Sequence, residues 1–191
     1  MEKFGLRPVL LTILIFVISL PLLLSNAPTP TRGRVEEEQI RWQPDFRLQW
    51  SQFKGKPDRM SNMDALTESG ITFNWSCDWR GFSIEAYAIF VPEGSWVKAP
   101  TNALLMHEQL HFDITELHAR KLRQYFKQIQ DPCRLGKSGI DKAAQGFIEA
   151  SYAMQNAYDS ATEHGQNTRI QKEWQIKISD ALTALAAFAE K

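Results

Sequence analysis

The stretch Leu104-Leu105-Met106-His107-Glu108-Gln109-Leu110-His111-Phe112 decides how this chain is read. It holds an HExxH motif with apolar residues on both sides. On an α-helix, positions i and i+4 lie on one face, one turn apart. Two imidazoles so placed can grip one zinc ion, and the glutamate between them then stands beside the water that completes the site. The surroundings favour a helix. From Asn102 to Gln130 there is no proline or glycine, and Leu, Arg, Lys, Gln and Glu are plentiful. Thr101 or Asn102 is the expected N-cap. A surface helix that merely carries two histidines would place them among polar residues such as Arg120, Lys121, Arg123 and Gln124. His107, Glu108 and His111 instead sit amid Leu105, Leu110, Phe112 and Ile114.

A catalytic zinc needs a third protein ligand and one open position. The chain has 4 histidines, and the two outside the motif are His118 and His164. His118 lies eleven residues beyond His107, about 16 Å along the helix axis, and Glu116 is nearly as far. Asp113 is rotated away from the His107/His111 face and suits a supporting role, since ligating histidines donate their other N–H to an acceptor. His164 is the favoured third ligand, with its neighbour Glu163 as the alternative. Both lie in Tyr158-Asp159-Ser160-Ala161-Thr162-Glu163-His164-Gly165, a polar segment between two helical runs.

The run His107-Glu108-Gln109-Leu110-His111-Phe112-Asp113-Ile114-Thr115-Glu116-Leu117-His118-Ala119-Arg120 resembles the signature of a bacterial family, domain of unknown function 922. Ser95-Trp96-Val97 upstream also fits, as do Tyr158-Asp159, Thr162, His164, Gly165, Gln171 and Trp174 downstream. The similarity runs from Ile40 to Leu185. One departure is Ala161, where the family pattern carries an acid. The resemblance implies a secreted zinc-dependent protease.

The remaining sequence sets the frame. At 191 residues there is room for one domain with a sizeable core. Lys+Arg and Asp+Glu are 22 each, with no basic stripe, which argues against a nucleic-acid partner. The six tryptophans are read mostly as core. Lys3 and Arg7 precede an uncharged apolar run, Val9 to Leu24, which reads as a signal peptide or an N-terminal membrane anchor over residues 1–27. Sixteen helical residues span about 24 Å, short of the roughly 30 Å hydrocarbon core, which favours a signal. Pro28 after Ser25-Asn26-Ala27 disfavours cleavage, which favours an anchor. Either way the positive residues stay inside and the rest lies outside the cytoplasm, periplasmic or secreted. Residues 28–39 read as a linker and 40–191 as the hydrolase domain. Membrane contact is expected only through residues 9–24, if uncleaved. Cys77 and Cys133 suit one disulfide in an oxidising compartment; two free buried thiols are the alternative.

The expected fold class is α+β. Phe46 to Phe53, Gly70 to Cys77 and Gly81 to Val91 read as antiparallel strands. The motif helix follows, then a loop from Asp131 to Gly139, then helices over Ile140–Tyr158 and Arg169–Glu190. Strands followed by an HExxH helix are the zincin-like plan, in which an edge strand above the zinc pairs with substrate backbone. The expected activity is therefore zinc-dependent hydrolysis of a peptide or protein substrate. His107, His111 and His164 hold Zn2+, and Glu108 is the general base toward a water in the fourth position. Tyr158 and His118 are candidates for a second electrophile. The rivals are a non-catalytic envelope module that uses zinc or its helices structurally, and a zinc amidase acting on a non-protein amide.

Overall fold

The computed structural model describes residues 39–190. The expected signal or anchor at 1–27 and the linker, save Gln39, lie outside them. Among the described residues, five strands and three α-helices form an α+β arrangement. The strands are β1 (Ile40–Arg41), β2 (Ala65–Leu66), β3 (Ser69–Asp78), β4 (Gly81–Phe90) and β5 (Trp96–Val97). The helices are α1 (Asn102–Gln128), α2 (Gly136–Thr162) and α3 (Thr168–Ala184). No helix among the described residues is long and apolar enough to cross a membrane.

The sheet is antiparallel in the order β1-β4-β3. Its centre is the β3–β4 hairpin, paired from Ser69↔Phe90 to Asp78↔Gly81. Gly81 takes the positive φ of 106° that the tight turn needs, and the Asp78 carboxylate accepts the Arg80 N–H. Every second residue of β4 (Phe82, Ile84, Ala86, Ala88, Phe90) packs inward, the period-2 signature of a half-buried strand. β2 and β5 form a separate two-stranded ribbon.

Helix α1 is the axis of the domain. Thr101 caps it, its side chain accepting from the Leu104 N–H at 3.1 Å. The helix contributes to all three apolar clusters. Phe112 packs with Leu48, Phe53, Ala88 and Phe90; Leu122 and Phe126 pack with Ala86, Ile140 and Ala144; Leu110, Ile114 and Leu117 pack with Tyr158 and Ile178. Cys77 at the hairpin end and Cys133 in the α1–α2 connection form a disulfide, with Cα atoms 5.9 Å apart.

Three expectations about elements are corrected. Phe46 to Phe53 is not a strand. It is irregular chain with a 3-10 turn over Trp50–Gln52. Its alternating apolar residues face the Phe90/Phe112 cluster, and the Leu48 N–H donates to Gln109 Oε1 at 2.8 Å rather than to a neighbouring strand. The second helix starts at Gly136, after a 3-10 turn over Pro132–Leu135, and continues four residues past Tyr158. The third ends at Ala184 and gives way to a 3-10 turn, Ala186–Phe188.

Candidate metal centre

The i, i+4 spacing places both motif imidazoles on the buried face of α1, and α2 crosses above them. His107 Nε2 and His111 Nε2 each lie 3.0 Å from Asp159 Oδ1, and 3.2 Å from one another. His107, His111 and Asp159 thus form a possible metal-binding triad. The opposite nitrogens are held by amide oxygens. His107 Nδ1 is 3.1 Å from Gln171 Oε1, and His111 Nδ1 is 2.9 Å from Gln155 Oε1. Tyr158 stacks on His107 with ring centroids 4.6 Å apart.

The charges fit a cation. Burial pushes the His111 pKa down, but the hydrogen bond to Asp159, the charges of Glu108 and Asp159 and the bond to Gln155 outweigh it and leave the pKa raised. Burial likewise pushes Asp159 up, yet its bonds to His107 and His111 and their charges hold it well below the usual carboxylate range. With both Nδ1 positions donating to glutamine oxygens, the Nε2 lone pairs and the Asp159 carboxylate converge on one spot. Only protons or a metal ion can reconcile them there. Glu108 is the second sign. It is buried, it lines the same cleft, and its Oε2 has no hydrogen-bond partner among the described residues. Two imidazoles and a carboxylate, with Glu108 Oε2 in the same cleft, form a donor set that fits a divalent metal such as zinc.

The cleft holds about 540 Å³. Its floor is His107, Glu108 and His111. Residues 62–69, including β2, form one wall; Tyr152, Gln155, Asn156 and Asp159 of α2, with residues 164–166, form the other. Thr67 Oγ1 donates to the Glu108 carbonyl at 3.3 Å, tying the first wall to the floor.

The structure brings His107, Glu108 and His111 together but puts Asp159, not His164, beside both imidazoles. The physical reason is the length of α2. The helix continues through Thr162, so Asp159 still projects from its site-facing side, and His164 falls beyond the C-cap. There Glu163 and His164 both have φ 53° and Gly165 has φ 83°. This left-handed turn seats Gly165 against the His107 ring and leaves His164 half exposed at the cleft wall, its Nδ1 3.8 Å from Asp159 Oδ1.

Other candidates are committed elsewhere. Asp113 accepts from Trp42 Nε1 at 2.7 Å and Gln109 Nε2 at 2.9 Å, so it does not support the motif histidines. Glu116 is buried with Arg120 and Arg123. His118 is buried against the Ile114 carbonyl, and burial lowers its pKa. Tyr158 is fully buried, and its hydroxyl donates to Gln171 Oε1 at 2.7 Å, which takes it out of reach of a cleft substrate. Asp159 and the two glutamines were the residues missed. For Asp159 and Gln155 the signal was a stripe on α2: Gln155, Tyr158, Asp159 and Thr162 recur at i, i+3, i+4 and i+7, one helix face.

Residues 93–165 match the family model described as "Bacterial protein of unknown function (DUF922)". The DUF922 match takes in α1, α2 and the left-handed turn, and so all of His107, Glu108, His111, Asp159 and His164. It stops short of Gln171. No curated protein and no solved structure matches the chain.

Proposed function

We propose that this chain is a zinc-dependent hydrolase of peptide bonds, working outside the cytoplasm. The observation that carries the reading is the uncommitted Glu108 carboxylate oxygen beside three converging donors. Zinc held by His107 Nε2, His111 Nε2 and Asp159 Oδ1 would supply a Lewis acid for the scissile carbonyl and lower the pKa of water toward about 7. Glu108 takes the proton of the attacking water and passes it to the leaving amine. Two histidines and a carboxylate also serve iron(II) in oxygenases. An unpaired buried acid beside the set has work in hydrolysis and none there.

The first wall supports a peptide as substrate. The Lys98 N–H donates to the Asp64 carbonyl, and Ala65 pairs with Val97. In this register the backbone groups of Asp64 and Leu66 face β5, and those of Ala65 and Thr67 point away from it. No strand among the described residues covers that edge. An extended peptide can add there, above the floor of the cleft. The Cys77–Cys133 disulfide and the charged start before the apolar N-terminal run support the location.

The test is elemental analysis of the purified chain with hydrolysis of a quenched peptide library, wild type beside Glu108→Gln. Stoichiometric zinc in both, with cleavage only in the wild type, is expected. Equal cleavage by both proteins would remove Glu108 from the reaction, and a metal-loaded but inactive wild type would favour a structural site.

A further inference from the structure

The site leans on a residue outside both the motif and the matched stretch. Gln171 lies on α3, is buried, and its single Oε1 meets two donors: His107 Nδ1 at 3.1 Å and the Tyr158 hydroxyl at 2.7 Å. Its own Nε2 is buried without a partner. What the glutamine adds is an oxygen at one spot. Gln155 repeats the device on the other ring, its Oε1 2.9 Å from His111 Nδ1 and its Nε2 donating to Thr115 Oγ1 at 3.3 Å.

We propose that Gln171 is a positioning residue that fixes His107 with its proton on Nδ1 and its Nε2 lone pair aimed at the metal, with Gln155 doing the same for His111. Each amide oxygen accepts only, so it selects the Nδ1–H form. Being uncharged, the amides do so without adding negative charge around Asp159 and Glu108. Tyr158 completes the clamp: its ring stacks on His107, and its hydroxyl lies 2.7 Å from the same oxygen and 3.2 Å from the His107 carbonyl. This places α3 in the working unit as the element that orients the first ligand. The inference rests on the zinc reading above.

The experiment measures zinc affinity of the full chain by competition with a chromogenic chelator, alongside the imidazole N–H signals of the zinc-loaded protein by NMR. Gln171→Leu is expected to weaken zinc binding by about 10–100-fold and to expose the His107 Nδ1–H to rapid exchange. Gln171→Glu, which keeps an acceptor in place, should restore the affinity to within a few-fold of wild type. Gln155 is only half-buried, so Gln155→Leu guards against a misfolded Gln171→Leu and should weaken binding through His111. Wild-type affinity in Gln155→Leu, or in a folded Gln171→Leu, would overturn the assignment and leave the hydrolase reading intact. Zinc binding that survives His107→Ala unchanged would overturn both.

Discussion

Gly165→Ala tests whether the left-handed turn is built against the metal face. A Cβ at this position would stand 3.0 Å from His107 Cγ, 3.1 Å from its Cβ and 3.2 Å from its Nδ1. The ring has little freedom to retreat, since Gln171, Asp159 and the stacked Tyr158 hold it on three sides. Two penalties combine. A non-glycine residue at φ 83° costs about 1–2 kcal/mol. Overpacking a site that must shift by tenths of an ångström costs about 1–3 kcal/mol. The expected loss is thus about 2–5 kcal/mol, read from the urea midpoint at unchanged slope. Gly146→Ala is the internal control. It lies within α2 with nothing within 4 Å of its would-be Cβ, and should gain about 0.5–1 kcal/mol. Zinc affinity should fall in Gly165→Ala and hold in Gly146→Ala. If Gly165→Ala proves as stable as wild type with unaltered zinc affinity, the turn is not packed on His107 as described.

Asp159→Ala, like His107→Ala and His111→Ala, should abolish tight metal binding, whereas His164→Ala should keep stoichiometric metal in elemental analysis. Glu108→Gln should retain metal and fold while peptide cleavage drops by about 10²–10⁴-fold in a single-turnover assay. Stability of the chelator-treated protein should depend on pH through two groups. His111 has a folded pKa above its ordinary 6.5, so its contribution is whole below that value and lost as pH rises through the folded pKa. Asp159 is held below its ordinary 3.8, so its contribution is present above that value and lost as pH falls through the folded one. Unfolding midpoints across this range should be highest between the two, while zinc affinity climbs as His111 loses its proton. Replacing Cys77 and Cys133 together by alanine opens a loop of 56 residues and should cost up to about 4 kcal/mol in chemical unfolding.

Much of this was legible in the sequence because local signals and tertiary contacts agreed. The unbroken run from Asn102 fixed α1, and the aromatic and β-branched segments on either side of Asp78–Gly81 fixed the hairpin. The segment from Phe46 to Phe53 misled because its alternation serves packing on α1: Leu48 and Phe53 are buried with no partner strand beside them. The third donor was misplaced for a different reason. Helix propensity does not mark where α2 stops, since Asp159-Ser160-Ala161-Thr162 reads equally well as a polar connection. Only the tertiary setting, in which Thr162 is fully buried and its hydroxyl bonds back to the Tyr158 carbonyl, shows that the helix continues. A histidine before a glycine was the louder signal, and the structure places it at the cleft wall, 3.8 Å from Asp159.

The presence of α1 in all three apolar clusters separates what this domain can vary from what it must keep. The floor of the cleft is part of the scaffold, so a residue change that shifts it disturbs the whole core. Residues 62–66 of the first wall lie outside all three clusters. They reach the rest through a two-residue ribbon, whereas the turn 164–166 is packed on His107. On the proposed reading, exchanging residues 62–66 should change which substrates enter the cleft while the metal site stays in place. On that reading, selectivity is set by a segment the core does not hold and the chemistry by one that it does.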